Sequence, residues 1–258
     1  MTVTQTPTPL TGVSTLVTGA SRGFGRAIAT ALAGAGAHVV AVARDRAALD
    51  SLGESLGGSV TPVVADVADA AAAGHLIDRY RPSLLVLNAG ANPLPRPVHL
   101  QTWETFSRTW DVDVKQVFHW TREALLRPLD PGSTVVAFSS GAALGGSPLS
   151  GGYAGAKATI RFITSYAGQE SALADLGIRF VSVLPQLTPD TDLGAGAVAG
   201  YAARQGVDIP TYLKEFGAML TAKKVGEAVL QLATSPEHVD GRNGAAYVLT
   251  AEGLRPVS

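Results

Sequence analysis

The chain contains no cysteine, which excludes disulfides, thiolate catalysis and cysteine-ligated metal sites and suits a reducing compartment. Charge is sparing as well: Asp, Glu, Lys and Arg make up 16% of the residues, the formal net charge is −1, and no Lys/Arg-rich block occurs. Nucleic-acid binding needs a basic stripe or patch, so that class of partner is not expected. The five histidines, at 38, 75, 99, 119 and 238, lack ligand spacing, and no metal site is read from them. Long apolar runs are missing too. The longest uncharged stretch, Pro131 to Ala156, is rich in Gly, Ser and Pro and cannot be a membrane helix. The opening MTVTQTPTPLTG has neither a basic residue nor an apolar core of its own. Residues 1–11 are therefore expected to form a flexible tail rather than a signal peptide, and the protein to be cytoplasmic.

What is present is enough apolar material, 46% of 258 residues, for one sizeable core. Strand candidates rich in Val, Leu and Ala recur at 14–18, 38–43, 60–64, 83–88, 134–139, 178–184 and 245–249, separated by helical stretches. That alternation predicts an α/β domain over residues 12–258, a doubly wound parallel sheet of about seven strands with helices on both faces. Residues 187–220 make the longest stretch between strands and are expected to cover a substrate.

Two motifs carry chemistry. Residues 14–36, STLVTGASRGFGRAIATALAGAG, run from an apolar strand through Gly19, Gly23 and Gly25 into an Ala-rich helix. Glycines there permit the turn, let backbone N–H groups approach a phosphate and let helix and sheet pack closely, while the helix N-terminus attracts a pyrophosphate. The second motif is Tyr153 and Lys157, four apart on one helical face, with Ser140 at the end of the strand STVVAFSS. A free phenol titrates near 10, and a nearby ammonium favours its ionised form, which makes Tyr153 a candidate general acid/base. Ser140 would donate a hydrogen bond to the reacting oxygen.

Together these residues resemble the classical short-chain dehydrogenase/reductase family over roughly residues 12–250. The resemblance rests on TGASRGFG at 18–25, Asp66-Val67, Asn88-Ala89-Gly90 and the set Ser140, Tyr153, Lys157. It implies a single-domain Rossmann fold, a nicotinamide cofactor and the interconversion of carbonyls and alcohols. By position it makes Tyr153 the acid/base, Lys157 the residue that assists it and holds the nicotinamide ribose, and Ser140 the substrate-orienting hydroxyl. The cofactor would lie against Gly19, Ser21, Arg22, Gly23, Phe24 and Gly25, with Asp66 and Val67 at the adenine and Asn88, Ala89 and Gly90 behind it. The resemblance also implies a homotetramer or homodimer, formed through helices at 102–129 and 151–176.

Cofactor choice turns on charge. An acidic residue at the end of the second strand would bind the ribose 2′-hydroxyl of NAD, whereas the 2′-phosphate of NADP wants arginine. The strand here ends in Ala43 followed by Arg44, and Arg22 lies in the Gly-rich turn, so NADP is expected over NAD. Asp45 is the counterweight, since it could reach the ribose instead. Two positions depart from the family pattern: Asp113 stands where the family usually has asparagine, and Gln186 where it usually has glycine. The expected function is an NADP(H)-dependent oxidoreductase acting on a small carbonyl or secondary alcohol. The alternatives are a dehydratase or epimerase on the same scaffold and a non-catalytic nucleotide-binding sensor.

Overall fold

In the computed structural model of the chain, residues 10–234 and 243–257 are described. β1 (Ser14–Thr18) leads into α1 (Gly23–Gly34), β2 (His38–Ala43) into α2 (Arg46–Leu56) and β3 (Val60–Val64) into α3 (Ala70–Tyr80). β4 (Leu84–Leu87) is followed by α4 (Trp103–Thr109) and α5 (Lys115–Leu126), joined by a π-helical turn at Trp110–Val114. β5 (Thr134–Phe138) continues through the short α6 (Ala142–Gly145) into the long α7 (Tyr153–Leu173). β6 (Arg179–Pro185) precedes α8 (Asp192–Gln205), α9 (Ile209–Lys214) and α10 (Ala222–Thr234), and β7 (Ala245–Thr250) turns back as β8 (Gly253–Pro256).

These strands form one sheet in the order β3-β2-β1-β4-β5-β6-β7-β8. All neighbours are parallel except β7 and β8. Alternate side chains of each strand enter opposite cores, which is why the strands read as continuous apolar runs. Val39 and Ala41 of β2 join Ile28 and Leu32 of α1 and Val225 and Val229 of α10 on one face. Val40 and Val42 join Ile77 of α3, Trp120 of α5 and Ile160 of α7 on the other. The seven expected strands are present. The eighth, Gly253–Pro256, escapes a reading by pattern because GLRP is short and carries one apolar side chain besides its proline.

Strand order reverses between β1 and β4, so a crevice opens there at the carboxyl ends of the strands. The Gly-rich turn follows β1, Arg44 follows β2, Asp66 follows β3, Asn88 follows β4 and Ser140 follows β5, while Tyr153 begins α7. One boundary differs: Leu10, assigned to the tail, is buried and its N–H donates to the Ala35 carbonyl at 2.7 Å. Residues 1–9 and His238 lie outside the described residues.

Candidate active site

The Gly-rich turn and the Asn88–Gly90 turn form one packed unit. Gly19 and Gly23 have φ of +67° and +53°, the left-handed region that glycine adopts freely. A Cβ on Gly25 would lie 2.1 Å from the Gly19 carbonyl oxygen, and one on Gly19 would lie 2.8 Å from Ala89 Cα. Buried Thr18 is the hub: its hydroxyl donates to the Val86 carbonyl and accepts from the N–H groups of Asn88 at 2.9 Å and Ala89 at 3.2 Å. The Asn88 amide donates back to the Thr18 carbonyl at 3.2 Å. Phe24 packs on the core beneath the turn, and Ser21 is half-buried beside it.

The N-terminus of α1, like those of α5, α6 and α7, has no side-chain cap, unlike those of five other helices. α2, α3, α4, α8 and α9 are capped by Asp45, Asp69, Thr102, Thr191 and Asp208. α1 begins after Arg22 with no side-chain cap and no acidic residue in its first turn. Its leading N–H groups therefore face the crevice without a side-chain acceptor, an arrangement that fits a pyrophosphate. The capping bond of Asp45, from Ala48 N–H at 3.1 Å, commits one oxygen of the very carboxylate that could have reached a ribose. Arg44 is exposed at the end of β2 and forms no ion pair among the described residues. Arg22 is engaged: it pairs with Asp192 at 2.9 Å, both side chains about 70% exposed. Asp66 turns after β3, its carboxylate accepting from Ala68 N–H at 3.0 Å, and buried Val67 offers its carbonyl to the Trp120 indole at 2.9 Å.

The chemistry-bearing side chains converge where α7 starts. Tyr153 opens that helix, and its position is anchored from behind by the Trp110 indole, which donates to the Gly152 carbonyl at 3.0 Å. One turn on, Lys157 is buried, its Nζ 5.5 Å from the centre of the Tyr153 ring. Nζ donates to the Phe138 carbonyl at 3.1 Å, and Ser139 Oγ donates to the Lys157 carbonyl at 2.7 Å, so α7 is fastened to the end of β5 from both sides. Ser140 is the next residue of that strand end. Its Oγ accepts from Ala142 N–H at 3.2 Å, which leaves the hydroxyl hydrogen free to donate.

Asp113 completes this cluster. The π-helical turn directs it inward, where it is 1% exposed, with Oδ1 accepting from Ala91 N–H at 2.8 Å and Oδ2 2.9 Å from Lys157 Nζ. The approach of Nζ is bent away from hydrogen-bond alignment, so the contact is chiefly electrostatic. Burial presses Lys157 toward its neutral form, but the Asp113 carboxylate, and after it Tyr153, outweigh that cost and hold the ammonium above the ordinary lysine range. Gly90 makes room for the carboxylate: a Cβ there would lie 2.7 Å from Oδ2. The roles of the Phe138 carbonyl, Ser139 and Trp110 are not visible in sequence, because backbone acceptors and tertiary anchors leave no motif.

The stretch 187–220 folds as a small lobe on α8 and α9, with Val198, Ala202 and Tyr212 buried together and Leu187, Tyr201 and Phe216 packed around them. Tyr201 reaches the loop ahead of Tyr153, its hydroxyl 2.6 Å from Ser147 Oγ. Thr188 is buried and donates to the Leu220 carbonyl, and Thr191 caps α8. Gln186 is half-buried, held by its backbone N–H to the Leu249 carbonyl at 2.9 Å. Among the described residues no group of three potential metal ligands occurs, and no helix is long and apolar enough to cross a membrane.

The sequence model of the family described as short chain dehydrogenase matches residues 14–201. The chain is 33% identical over 171 residues to an uncharacterised short-chain type dehydrogenase/reductase of Sinorhizobium fredii, covering 66% of this chain and 67% of that protein. It is 41% identical over 108 residues to the L-xylulose reductase of Mesocricetus auratus, a match spanning 42% of this chain and less than half, 44%, of that enzyme. Among solved structures, a 3-ketoacyl-(acyl-carrier-protein) reductase from Brucella melitensis complexed with NADH superposes with a TM-score of 0.76 at 24% identity, covering 93% of this chain and 97% of that one.

Proposed function

The chain belongs to the short-chain dehydrogenase/reductase family, and on that premise we propose that it interconverts a small carbonyl compound and its secondary alcohol by hydride transfer with NADP(H). The observation that carries this reading is the buried Lys157 ammonium, fixed against the end of β5 and one turn behind Tyr153. A bound nicotinamide would supply or accept the hydride. Tyr153 would give its phenolic proton to the carbonyl oxygen as charge develops there, and Ser140, one of whose lone pairs accepts the Ala142 N–H, would donate a hydrogen bond to the same oxygen. With one N–H on Phe138 and one side of the ammonium against Asp113, Lys157 keeps a donor for a ribose hydroxyl.

NADP is favoured over NAD by Arg44, an exposed guanidinium at the end of β2 beside an aspartate already committed to capping. The relative named for reducing L-xylulose supports a ketone substrate. Residues 187–220 would form the wall over that substrate, and the exposed apolar residues of α5 and α7, among them Phe118, Phe162 and Tyr166, support a dimer or tetramer through those helices.

Fluorescence titration with NADPH and NADH, followed by turnover assays on a ketose, a 3-oxoacyl thioester and an aryl ketone, tests the proposal. NADPH should bind more tightly and be oxidised by at least one ketone. Tight binding with no turnover across the panel would make the protein a nucleotide sensor, and a preference for NADH would overturn the cofactor assignment.

A further inference from the structure

Asp113 is built into its place as a carboxylate. Oδ1 accepts the Ala91 N–H and Oδ2 faces the Lys157 ammonium, so both oxygens meet donors. An asparagine in the same position would set its NH2 group against one of those two donors whichever way it turned, which costs a pairing in a buried site. Gly90 leaves space for Oδ2 that any side chain would take. The neighbouring ionisable groups do not compete: Asp111 and Lys115 are exposed and pair with each other at 3.4 Å. From the other packed elements, Lys157 meets the neutral Phe138 carbonyl on β5 and, on its own helix, Tyr153. Gln116 donates to the Ala89 carbonyl at 2.9 Å and carries no charge.

We propose that Asp113 is a positioning residue: its carboxylate fixes the Lys157 ammonium by a direct ion pair and offsets part of that cation's field at Tyr153, so Tyr153 remains a proton donor to higher pH. The site is then adapted to carbonyl reduction, which consumes the phenolic proton, over a wider alkaline range than a neutral amide at this position would allow. The inference rests on the catalytic reading above and deepens it. The sign follows from the charges. A lone ammonium favours the phenolate, an anion 2.9 Å from that ammonium weakens the effect, and removing the anion restores it.

The test compares the unaltered chain with Asp113→Asn, using NADP+ and a panel of secondary alcohols. The limb of kcat/KM for alcohol oxidation that reports loss of the tyrosine proton should move to lower pH, and the upper limit of carbonyl reduction should fall with it. An unmoved limb with unchanged kcat overturns the electrostatic role. A second measurement needs no turnover: denaturant unfolding of Asp113→Asn, Lys157→Met and the double variant. The two substitutions should be strongly non-additive, Asp113→Asn costing stability when Lys157 is present and little when it is Met. Additive losses would overturn the ion pair itself. If no alcohol or ketone is turned over while the losses are coupled, the reaction assignment fails and the pairing stands.

Discussion

The cofactor crevice and the lobe over it are built on opposite terms. In the crevice, the Thr18 and Asn88 side chains bond to neighbouring backbone, and Gly19 and Gly25 pack so closely on backbone that neither has room for a Cβ. At 187–220 the lobe has its own small core and meets the crevice through side-chain links, the exposed Arg22–Asp192 pair and the Tyr201–Ser147 hydrogen bond. On the proposed function, the first region has to be rigid to present backbone N–H groups to a cofactor's phosphates. In the second, the exposed Arg22–Asp192 pair is worth about 0.2–1 kcal/mol, and the stretch is rooted at its far end by Leu220, buried in the main core.

That contrast breaks first at Gly25. Gly25→Ala places a methyl 2.1 Å from the Gly19 carbonyl oxygen and 2.7 Å from Asn88 Nδ2, so the Gly-rich turn must distort and the Asn88 side chain must move. The variant should lose about 3 kcal/mol of stability and its NADPH binding, read by denaturant melts and fluorescence titration. A stable variant with normal affinity would mean the crevice is as pliable as the lobe. Arg44→Ala comes next. It should weaken NADPH by about 1.5–3 kcal/mol, the range for a hydrogen bond to a charged group, and leave NADH nearly unchanged. Equal weakening of both would place Arg44 elsewhere on the cofactor. The smallest effect belongs to the lobe: Asp192→Asn frees Arg22, and NADPH affinity should rise by about twofold with stability altered by less than about 0.5 kcal/mol. A large loss of stability there would show that the link is structural rather than a latch.

The same contrast explains what the sequence made legible. Gly19, Gly23 and Gly25 are dictated by backbone geometry, so their spacing announces the crevice, and β-branched runs buried on both faces announce each central strand. Tyr153 and Lys157 were readable because helical spacing alone sets them on one face. The lobe is marked in sequence by the length of 187–220 between strands, but its internal packing is not. Its Tyr201, Tyr212 and Val198 have the composition of any packed helix pair, and only tertiary structure shows them buried against one another. Asp113 could be recognised as unusual in sequence, but its partner could not, since the ion pair depends on a π-helical turn that aims it at Lys157.

Single-turnover oxidation of NADPH by an accepted ketone shows whether Tyr153 is the proton donor of a site organised by Lys157. Tyr153→Phe keeps the ring over which Lys157 Nζ sits at 5.5 Å and removes the transferable proton. Hydride transfer should fall by on the order of a hundredfold or more while NADPH affinity changes little. Transfer at a near-normal rate in that variant would contradict the account.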